Sequence, residues 1–312
     1  MSDDLIQVSA YRDWKGLNMT NSWWKNHDTS TMTNIENITP DLKLLDITTD
    51  PVINNVYTQD AGIDGSRFQY NNLAKTPINL KFWLHYTDHR DFVDKKHDIE
   101  QYFAAKAQFI MQTNYHPTLH AAAYTAGFEG LDDSKSDHDV VFTVKMDNAL
   151  GLWFTNSTRW IENNWDSYLM QDLRTPTDSG RPSWKLQPGE NRIWIAGDVM
   201  SQLTNPTMDC KIWLYGVNTE MLTITNKTSN TKLIVDHKHN WTEPPLSGDY
   251  VFMNLNFGKV NSVDQKSGAI DYTPFNSMNQ ALDFWLDPGW NTIVLDGAAS
   301  GYLDTRFYFA HY

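Results

Sequence analysis

Few side chains of this 312-residue chain stand in patterns typical of a metal site or a catalytic site. His237 and His239 stand two positions apart, so on a strand both imidazoles would lie on one face. A zinc site needs further ligands at matched spacing, and the sequence identifies none. The loop 130–139 carries four aspartates but lacks the glycine and the closing glutamate at the spacing that an EF-hand loop requires. We therefore predict no metal site.

Catalytic signals are equally weak. The single cysteine, Cys210, lies in the alternating segment "PTMDCKIWLYG", which favours a buried strand thiol over a nucleophile. The chain contains no G-x-S-x-G, H-E-x-x-H, P-loop or G-x-G-x-x-G motif. Acidic side chains could pair in space as in glycosidases, but the sequence favours no particular pair. We predict no catalytic residues, no cofactor and a protein that is not an enzyme.

Charge and aromatic content indicate other kinds of partner. The formal net charge is −13, and no cluster of lysine and arginine is present to contact phosphates, so nucleic acid is not an expected partner. No signal-peptide pattern or apolar run of about 20 residues predicts a membrane partner. The 13 tryptophans are typical of core or interface positions, but exposed ones can stack on sugars. The candidate contacts for a partner or a saccharide are Trp153, Trp160 and Trp165.

The pattern L-x-P-G-x-N-x-I occurs twice, as "LQPGENRI" and as "LDPGWNTI". Proline and glycine suit the two central positions of a type II turn, since proline fixes φ and glycine accepts a positive φ. The flanks alternate between apolar and polar residues, which predicts strand, turn, strand with one face buried. No wider similarity exists at this spacing, so we do not predict a repeat fold. The predicted structural turns are Asp64 with Gly65, Pro188 with Gly189, and Pro288 with Gly289.

One helix is predicted, at about residues 88–106, with Asp88 as its N-cap. Its apolar stripe packs it across a sheet. The predicted members of that stripe are Phe92, Ile99 and Phe103, with Val93 and Tyr102 as further candidates. Before this helix, "TPINLKFWLHYT" predicts a strand with Ile78, Leu80, Phe82 and Leu84 on one face.

The rest of the chain reads as many short strands, which predicts a mainly-β protein. The composition changes after residue 147, so we predict two domains. Residues 1–147 form an N-terminal β-sandwich that carries the helix. Residues 148–312 form a C-terminal β-sandwich or jelly roll, with 148–183 as its linker-like entry.

Several motifs in a fixed order resemble the distal tail proteins of siphophages of Gram-positive hosts. The resembling segments are "GIDGSRFQY", "TPINLKFWLHYTDHRDFVDKKHDIEQYFAA", "NYHPTLHAAAY", "NRIWIAGDVMSQLTNPTMDCKIWLYG" and "LDPGWNTIVL". Two departures stand out. The Gly-x-Asp-Gly mark is followed here by "SRFQYNN", where the family usually has a basic or aromatic continuation. The chain is also too short for the inserted carbohydrate-binding modules that some relatives carry.

The resemblance implies a structural hub of a phage tail tip or baseplate, made and assembled in the host cytoplasm and located in the virion. The N-terminal domain would form a homo-hexameric ring, and the C-terminal domain, a galectin-like sandwich, would project outward. The implied partners are other copies of the chain, the tail tube protein, the tail-associated lysin or tail fibre protein, and receptor-binding or other baseplate proteins. A galectin-like fold does not by itself carry sugar binding.

An alternative function follows from the tryptophan content and the predicted sandwich. The chain could be a carbohydrate-binding virion protein that attaches to host cell-wall polysaccharide. Under both hypotheses the two P-G-x-N segments are sheet corners and not ligand sites.

Overall fold

The structure is a computed structural model. It describes residues 7–13, 32–59, 64, 66–131, 138–164, 182–202, 208, 210–217, 221–236, 250–254, 259–263, 270–274 and 284–310. Strands predominate in these ranges, which confirms the predicted mainly-β class. The chain divides into two compact units, Met1–Trp153 with Ala310–Tyr312, and Phe154–Phe309. Among the helices of the described ranges, none combines the length and the apolar content that a bilayer crossing requires.

The first unit is built on antiparallel strands. They are β1 (Val8–Asp13), β2 (Thr33–Asn34), β3 (Leu42–Thr49), β4 (Ile53–Thr58), β5 (Arg67–Leu73), β6 (Thr76–His85), β7 (Gln108–Thr113), β8 (Leu119–Glu129) and β9 (Asp139–Asn148). The main sheet has the order β2-β1-β7-β8-β9-β6-β3, and a 3-10 turn (Ile35–Ile38) leads into β3. Strands β4 and β5 pair separately as a two-stranded antiparallel hairpin.

Strand β6 shows why this sheet has a buried face. Successive side chains of a strand point to opposite faces, so every second residue shares one environment. The members of the buried face are Ile78, Leu80, Phe82 and Leu84, as the sequence predicts. Phe82 stacks on Phe142 of the neighbouring strand β9, with ring centroids 5.3 Å apart.

Helix α1 (His89–Phe103) packs its apolar stripe on this sheet. Asp88 is the N-cap, and its Oδ1 accepts a hydrogen bond from the Asp91 backbone N–H at 2.9 Å, as predicted. The buried apolar members of the stripe are Phe92, Ile99 and Phe103. Val93 is 48% exposed, so the prediction of Val93 as a further candidate for the stripe is wrong. It lies about 100° around the helix from Phe92 and therefore faces away from the sheet.

Lys95 occupies the remaining buried position of the helix face. Its ammonium Nζ donates to Asp41 Oδ2 at 2.9 Å and lies 3.2 Å from Asp91 Oδ2. Burial by itself lowers the pKa of Lys95, but the two carboxylates outweigh burial and the pKa is raised. The ion pairs therefore hold the start of α1 against the turn that precedes β3, where Asp41 has a positive φ of 63°.

The second unit contains the remaining strands, with β10 at its boundary. They are β10 (Trp153–Thr155), β11 (Lys185–Leu186), β12 (Gly189–Ile195), β13 (Ser201–Gln202), β14 (Cys210–Val217), β15 (Met221–Asn226), β16 (Thr231–Asp236), β17 (Tyr250–Asn254), β18 (Lys259–Val263), β19 (Ile270–Pro274), β20 (Trp285–Leu286), β21 (Gly289–Asp296), β22 (Ala298–Thr305) and β23 (Tyr308–Phe309). One sheet has the order β11-β22-β14-β17-β18-β19, and the other has the order β12-β21-β15-β16.

Strands of both sheets, among them β14, β15, β21 and β22, bury alternate residues, as a β-sandwich requires. The short strands β13 and β20 pair with each other, and β10 pairs with β23. Segment 148–183, predicted as a linker-like entry, contains β10 and a short helix, α2 (Thr158–Asn163), in its described part. Ser157 caps that helix, since its Oγ accepts from the Trp160 backbone N–H at 3.4 Å.

The repeated L-x-P-G-x-N-x-I motif forms two adjacent corners of the sandwich. Gly189 and Gly289 have positive φ values of 88° and 97°. Before each turn the chain belongs to a different sheet, since β11 pairs with β22 and β20 pairs with β13. After each turn it enters the four-stranded sheet, where β12 and β21 pair antiparallel with Asn191 opposite Ile293 and Ile193 opposite Asn291. The two copies therefore meet side by side, running in opposite directions.

The asparagine of each motif closes its own turn. The Asn291 amide accepts from the Asp287 backbone N–H at 3.0 Å and donates to the Asp287 carbonyl at 2.7 Å. The Asn191 amide makes the same two bonds with Gln187, both at 2.7 Å. Asn291 also accepts from the Asn226 side chain at 2.9 Å and is fully buried, whereas Asn191 is half-buried. The motif recurs because both corners need a side chain that takes the place of a backbone hydrogen-bond partner.

This difference in burial predicts unequal costs for the same substitution. Asn291→Ala should lower the free energy of unfolding of the second unit by about 2–3 kcal/mol, because buried donors and acceptors lose their partner. Asn191→Ala should cost about 1 kcal/mol, because water can reach that turn. Urea denaturation of the two variants measures both values. Equal losses for the two variants would contradict this explanation of the repeated motif.

Candidate functional site: an exposed hairpin and a polar-aromatic cleft

The structure separates the three candidate tryptophans. Trp153 is 2% exposed, so it is a core residue and its prediction as a partner or saccharide contact was wrong. Trp160 is 36% exposed on α2. Trp165 lies outside the described residues, as do the histidines at 237 and 239. Of the predicted turn at Asp64, the aspartate is exposed and Gly65 lies outside the described residues.

The β4–β5 hairpin is an unusual surface in the first unit. Nearly every residue of its two strands is exposed, so neither face is covered by the described residues. The exposed apolar side chains include Ile53 (52%), Tyr57 (56%), Phe68 (52%) and Tyr70 (56%). Tyr57 and Phe68 are opposite each other in the register, and their rings meet edge to face at 5.9 Å.

The hairpin also lacks the usual protection of a sheet edge. Exposed edges are commonly guarded by lysine, proline or inward-pointing charge, which discourage pairing with another chain. Here the sequences are "INNVYT" and "RFQYNNL", with Arg67 as the one charged residue of the two strands. An isolated two-stranded hairpin is marginally stable in water. Exposed aromatics on such an arm are therefore suited to contact with another protein surface.

A second surface lies in the second unit, where α2 crosses the outer face of strands β11, β22 and β14. There the structure has a cleft of about 850 Å³, which we call the α2 cleft. Its lining is mostly polar, with two exposed or half-exposed aromatic side chains from β14. The lining residues are Arg159, Glu162, Asn163, Lys185, Gln187, Trp213, Tyr215, Ser300, Gly301 and Tyr302.

Strand register places the floor of the α2 cleft. Tyr302 pairs with Lys185 of β11 on one side and with Trp213 of β14 on the other, so these three residues form a row across three strands. Tyr215 and Ser300 form the next row.

Burial raises the pKa of the Tyr302 hydroxyl, and the Glu162 carboxylate adds to the shift. Tyr302 therefore stays a neutral hydrogen-bonding group at physiological pH.

Helix α2 forms the wall of the cleft and is fixed in place. Thr158 Oγ1 donates to the Leu303 carbonyl at 2.8 Å and accepts from the Thr305 backbone N–H at 3.2 Å. The Arg159 guanidinium lies 5.8 Å from the centre of the Trp213 ring, a cation–π distance. Glu162 lies 3.9 Å from the Lys185 ammonium. These contacts tie the wall to the floor.

Over the described residues, no group of three or more histidine, cysteine, aspartate or glutamate side chains is placed to hold a metal. Sequence reasoning missed Trp213 and Tyr215, although the signal was present. They alternate with Cys210, Ile212 and Leu214, which are buried, so they had to face outward.

The chain has no match to a family model or a curated protein, but it is similar in fold to a solved structure. No family model matches the chain, and no curated protein matches it either. Among solved structures, the SPP1 Dit (gp 19.1) protein, a paradigm of hub adsorption apparatus in Gram-positive infecting phages, aligns with a TM-score of 0.59. That alignment covers 96% of this chain and 99% of Dit at 8% identity.

The chain has the Dit fold. The alignment spans both units, so the likeness extends beyond a single sandwich. Because the sequence identity is only 8%, this likeness shows the fold and does not establish the function. A chain of the phage p2 baseplate in its activated conformation with Sr also aligns, at 8% identity over 97% of this chain and 98% of the baseplate chain. The TM-score of that alignment is 0.40, which is too low to support a conclusion.

Proposed function

We propose that this protein is the structural hub of a phage tail tip or baseplate and that six copies form a ring. The observation that carries the proposal is the likeness to Dit over nearly the full length of both chains. A binding module or an enzyme that shared only a sandwich would not match across two units. We further propose that the protein has no enzymatic activity.

The ring belongs to the first unit in this proposal, at about residues 1–147 by the sequence division and Met1–Trp153 by the structural one. The β4–β5 hairpin supports this assignment, because it exposes aromatic side chains and unguarded edges within that unit. A closed ring needs a heterologous contact, in which one patch on each copy meets a different patch on the next. A projecting arm on each copy suits that geometry.

We propose the following surroundings for the hub. The ring stacks on the tail tube protein on one side and on the tail-associated lysin or tail fibre protein on the other. The second unit faces outward, where receptor-binding or other baseplate proteins dock. The protein is assembled in the host cytoplasm and resides at the tail tip of the virion. Nucleic acid and membrane are not partners.

Labelling of intact virions tests this location. Fab fragments raised against the full chain and coupled to gold should mark the tail end that lies away from the head in electron micrographs. Fab fragments against a capsid protein of the same phage serve as the control and should mark the head. Gold on the head, or the absence of the chain from the protein content of purified virions, would contradict the proposal.

A further inference from the structure

The α2 cleft combines two features of a ligand site. Trp213 is half-exposed and Tyr215 is 40% exposed, both on the outer face of β14. Aromatic rings pack against apolar surfaces, and a pyranose ring presents such a surface on its C–H face. The volume of about 850 Å³ lies within the range of roughly 300–1,000 Å³ found for small-molecule sites.

The polar residues of the cleft match a ligand rich in hydroxyls. A hydroxyl group both donates and accepts, so it is recognised best where donors and acceptors stand together. The Arg159 guanidinium donates, the Glu162 carboxylate accepts, and the Asn163 amide does both. Gln187 adds a second amide to the lining.

The cleft carries little net charge. Lys185 lies 3.9 Å from Glu162, so these two charges offset each other, and Arg159 leaves one positive charge in the lining. The formal net charge of the chain is −13, which opposes the approach of a polyanion. A phosphate-rich ligand is therefore disfavoured relative to a neutral one.

The sheet under the cleft is not available for strand addition by a peptide. Strand β22 is paired with β11 and β14, and β14 is paired with β22 and β17, so their backbone groups are already used. Peptides that bind by adding a strand need an open edge. The edge strand β11 is only two residues long.

The site is also held in place before any ligand arrives. Thr158 fixes α2 to β22 through two hydrogen bonds, and Trp213 lies on a strand that is paired on both sides. A rigid site loses little conformational entropy on binding. The aromatic and polar side chains of the α2 cleft are therefore held on a rigid part of the second unit.

We propose that the α2 cleft binds a neutral pyranose oligosaccharide, which packs on Trp213 and Tyr215 and hydrogen-bonds to Arg159, Glu162 and Asn163. The site lies in the second unit and does not rest on the hub function. It differs from the predicted saccharide contacts, since Trp153 is in the core and Trp160 is not part of the lining.

The test uses the full-length protein on a printed array of bacterial wall and capsular glycans, followed by calorimetric titration of the glycan with the strongest signal. Trp213→Ala and Tyr215→Ala should each weaken binding at least about tenfold, which corresponds to about 1.4 kcal/mol. Trp160→Ala is the matched control, because it removes an exposed tryptophan of α2 outside the cleft. It should bind like the unsubstituted protein.

A further variant distinguishes loss of glycan binding from loss of the folded structure. Asn163 is exposed on α2, so Asn163→Ala should leave the melting temperature unchanged while weakening glycan binding. The proposal is overturned if no neutral glycan binds, or if binding survives Trp213→Ala and Asn163→Ala. It is equally overturned if another tail protein binds through Trp213 while the glycans do not, because the cleft is then a protein interface.

Discussion

Replacing Phe103 with alanine is expected to lower the free energy of unfolding of the first unit by about 3–5 kcal/mol. The side chain is 1% exposed at the end of α1. Its ring lies 6.0 Å from that of Phe82 on β6 and 5.8 Å from that of Phe109 on β7, centre to centre, so it packs the helix on two strands of the sheet. Truncation removes buried apolar surface and leaves a cavity in a closely packed core.

Chemical denaturation followed by circular dichroism measures this loss. Val93→Ala is the control on the same helix, and it should change stability by less than about 0.5 kcal/mol because Val93 is 48% exposed. Under the hub proposal, Phe103→Ala also abolishes oligomers, since the ring-forming unit unfolds. Similar stabilities for the two variants would show that α1 does not pack as the structure describes.

Under the hub proposal, replacing Tyr57 and Phe68 together with serine is expected to leave the protein monomeric without lowering the melting temperature. Both side chains are more than half exposed, so they contribute little to the stability of one copy. In an interface, a buried aromatic residue of this kind contributes about 2 kcal/mol or more. Two such losses per contact, repeated around the ring, should prevent closure.

Light scattering of the double variant tests this expectation, with melting followed in parallel. Tyr215→Ser is the matched control, because Tyr215 is 40% exposed but lies in the second unit, outside the proposed ring. It should keep the mass of the unsubstituted protein. If the hairpin variant stays assembled, the β4–β5 hairpin is not the contact between copies.

Local signals in the sequence were enough for much of the first unit. Asp88 and the spacing of Phe92, Ile99 and Phe103 predicted α1 and its buried face, because capping and helical periodicity are properties of neighbouring residues. Alternation in β6 predicted its core face for the same reason. The sequence also indicated that P-G-x-N marks sheet corners. It did not indicate that the two corners pair with each other, because that register joins strands about a hundred residues apart along the chain.

Surface features were harder to predict. The three candidate tryptophans lie in a segment whose composition is typical of a linker, but β10 places Trp153 in the core. Trp213 could have been found from the alternation of β14, but its place in a cleft depends on α2 and on the pairing of β11 with β22. The exposure of the β4–β5 hairpin could not be predicted from the sequence, for a related reason. Strand composition predicts pairing, and it does not tell which strands remain outside the main sheet.

We expect copies of this chain to close into a six-fold ring, and electron microscopy of the purified full-length protein tests this expectation. Class averages of particles prepared at high concentration should show rings with six equal subunits, and light scattering of the same sample should give six times the mass of the chain. A second sample includes the tail tube protein, which is the proposed neighbour of the ring. Monomers in both samples, or rings of a different symmetry, would contradict the account.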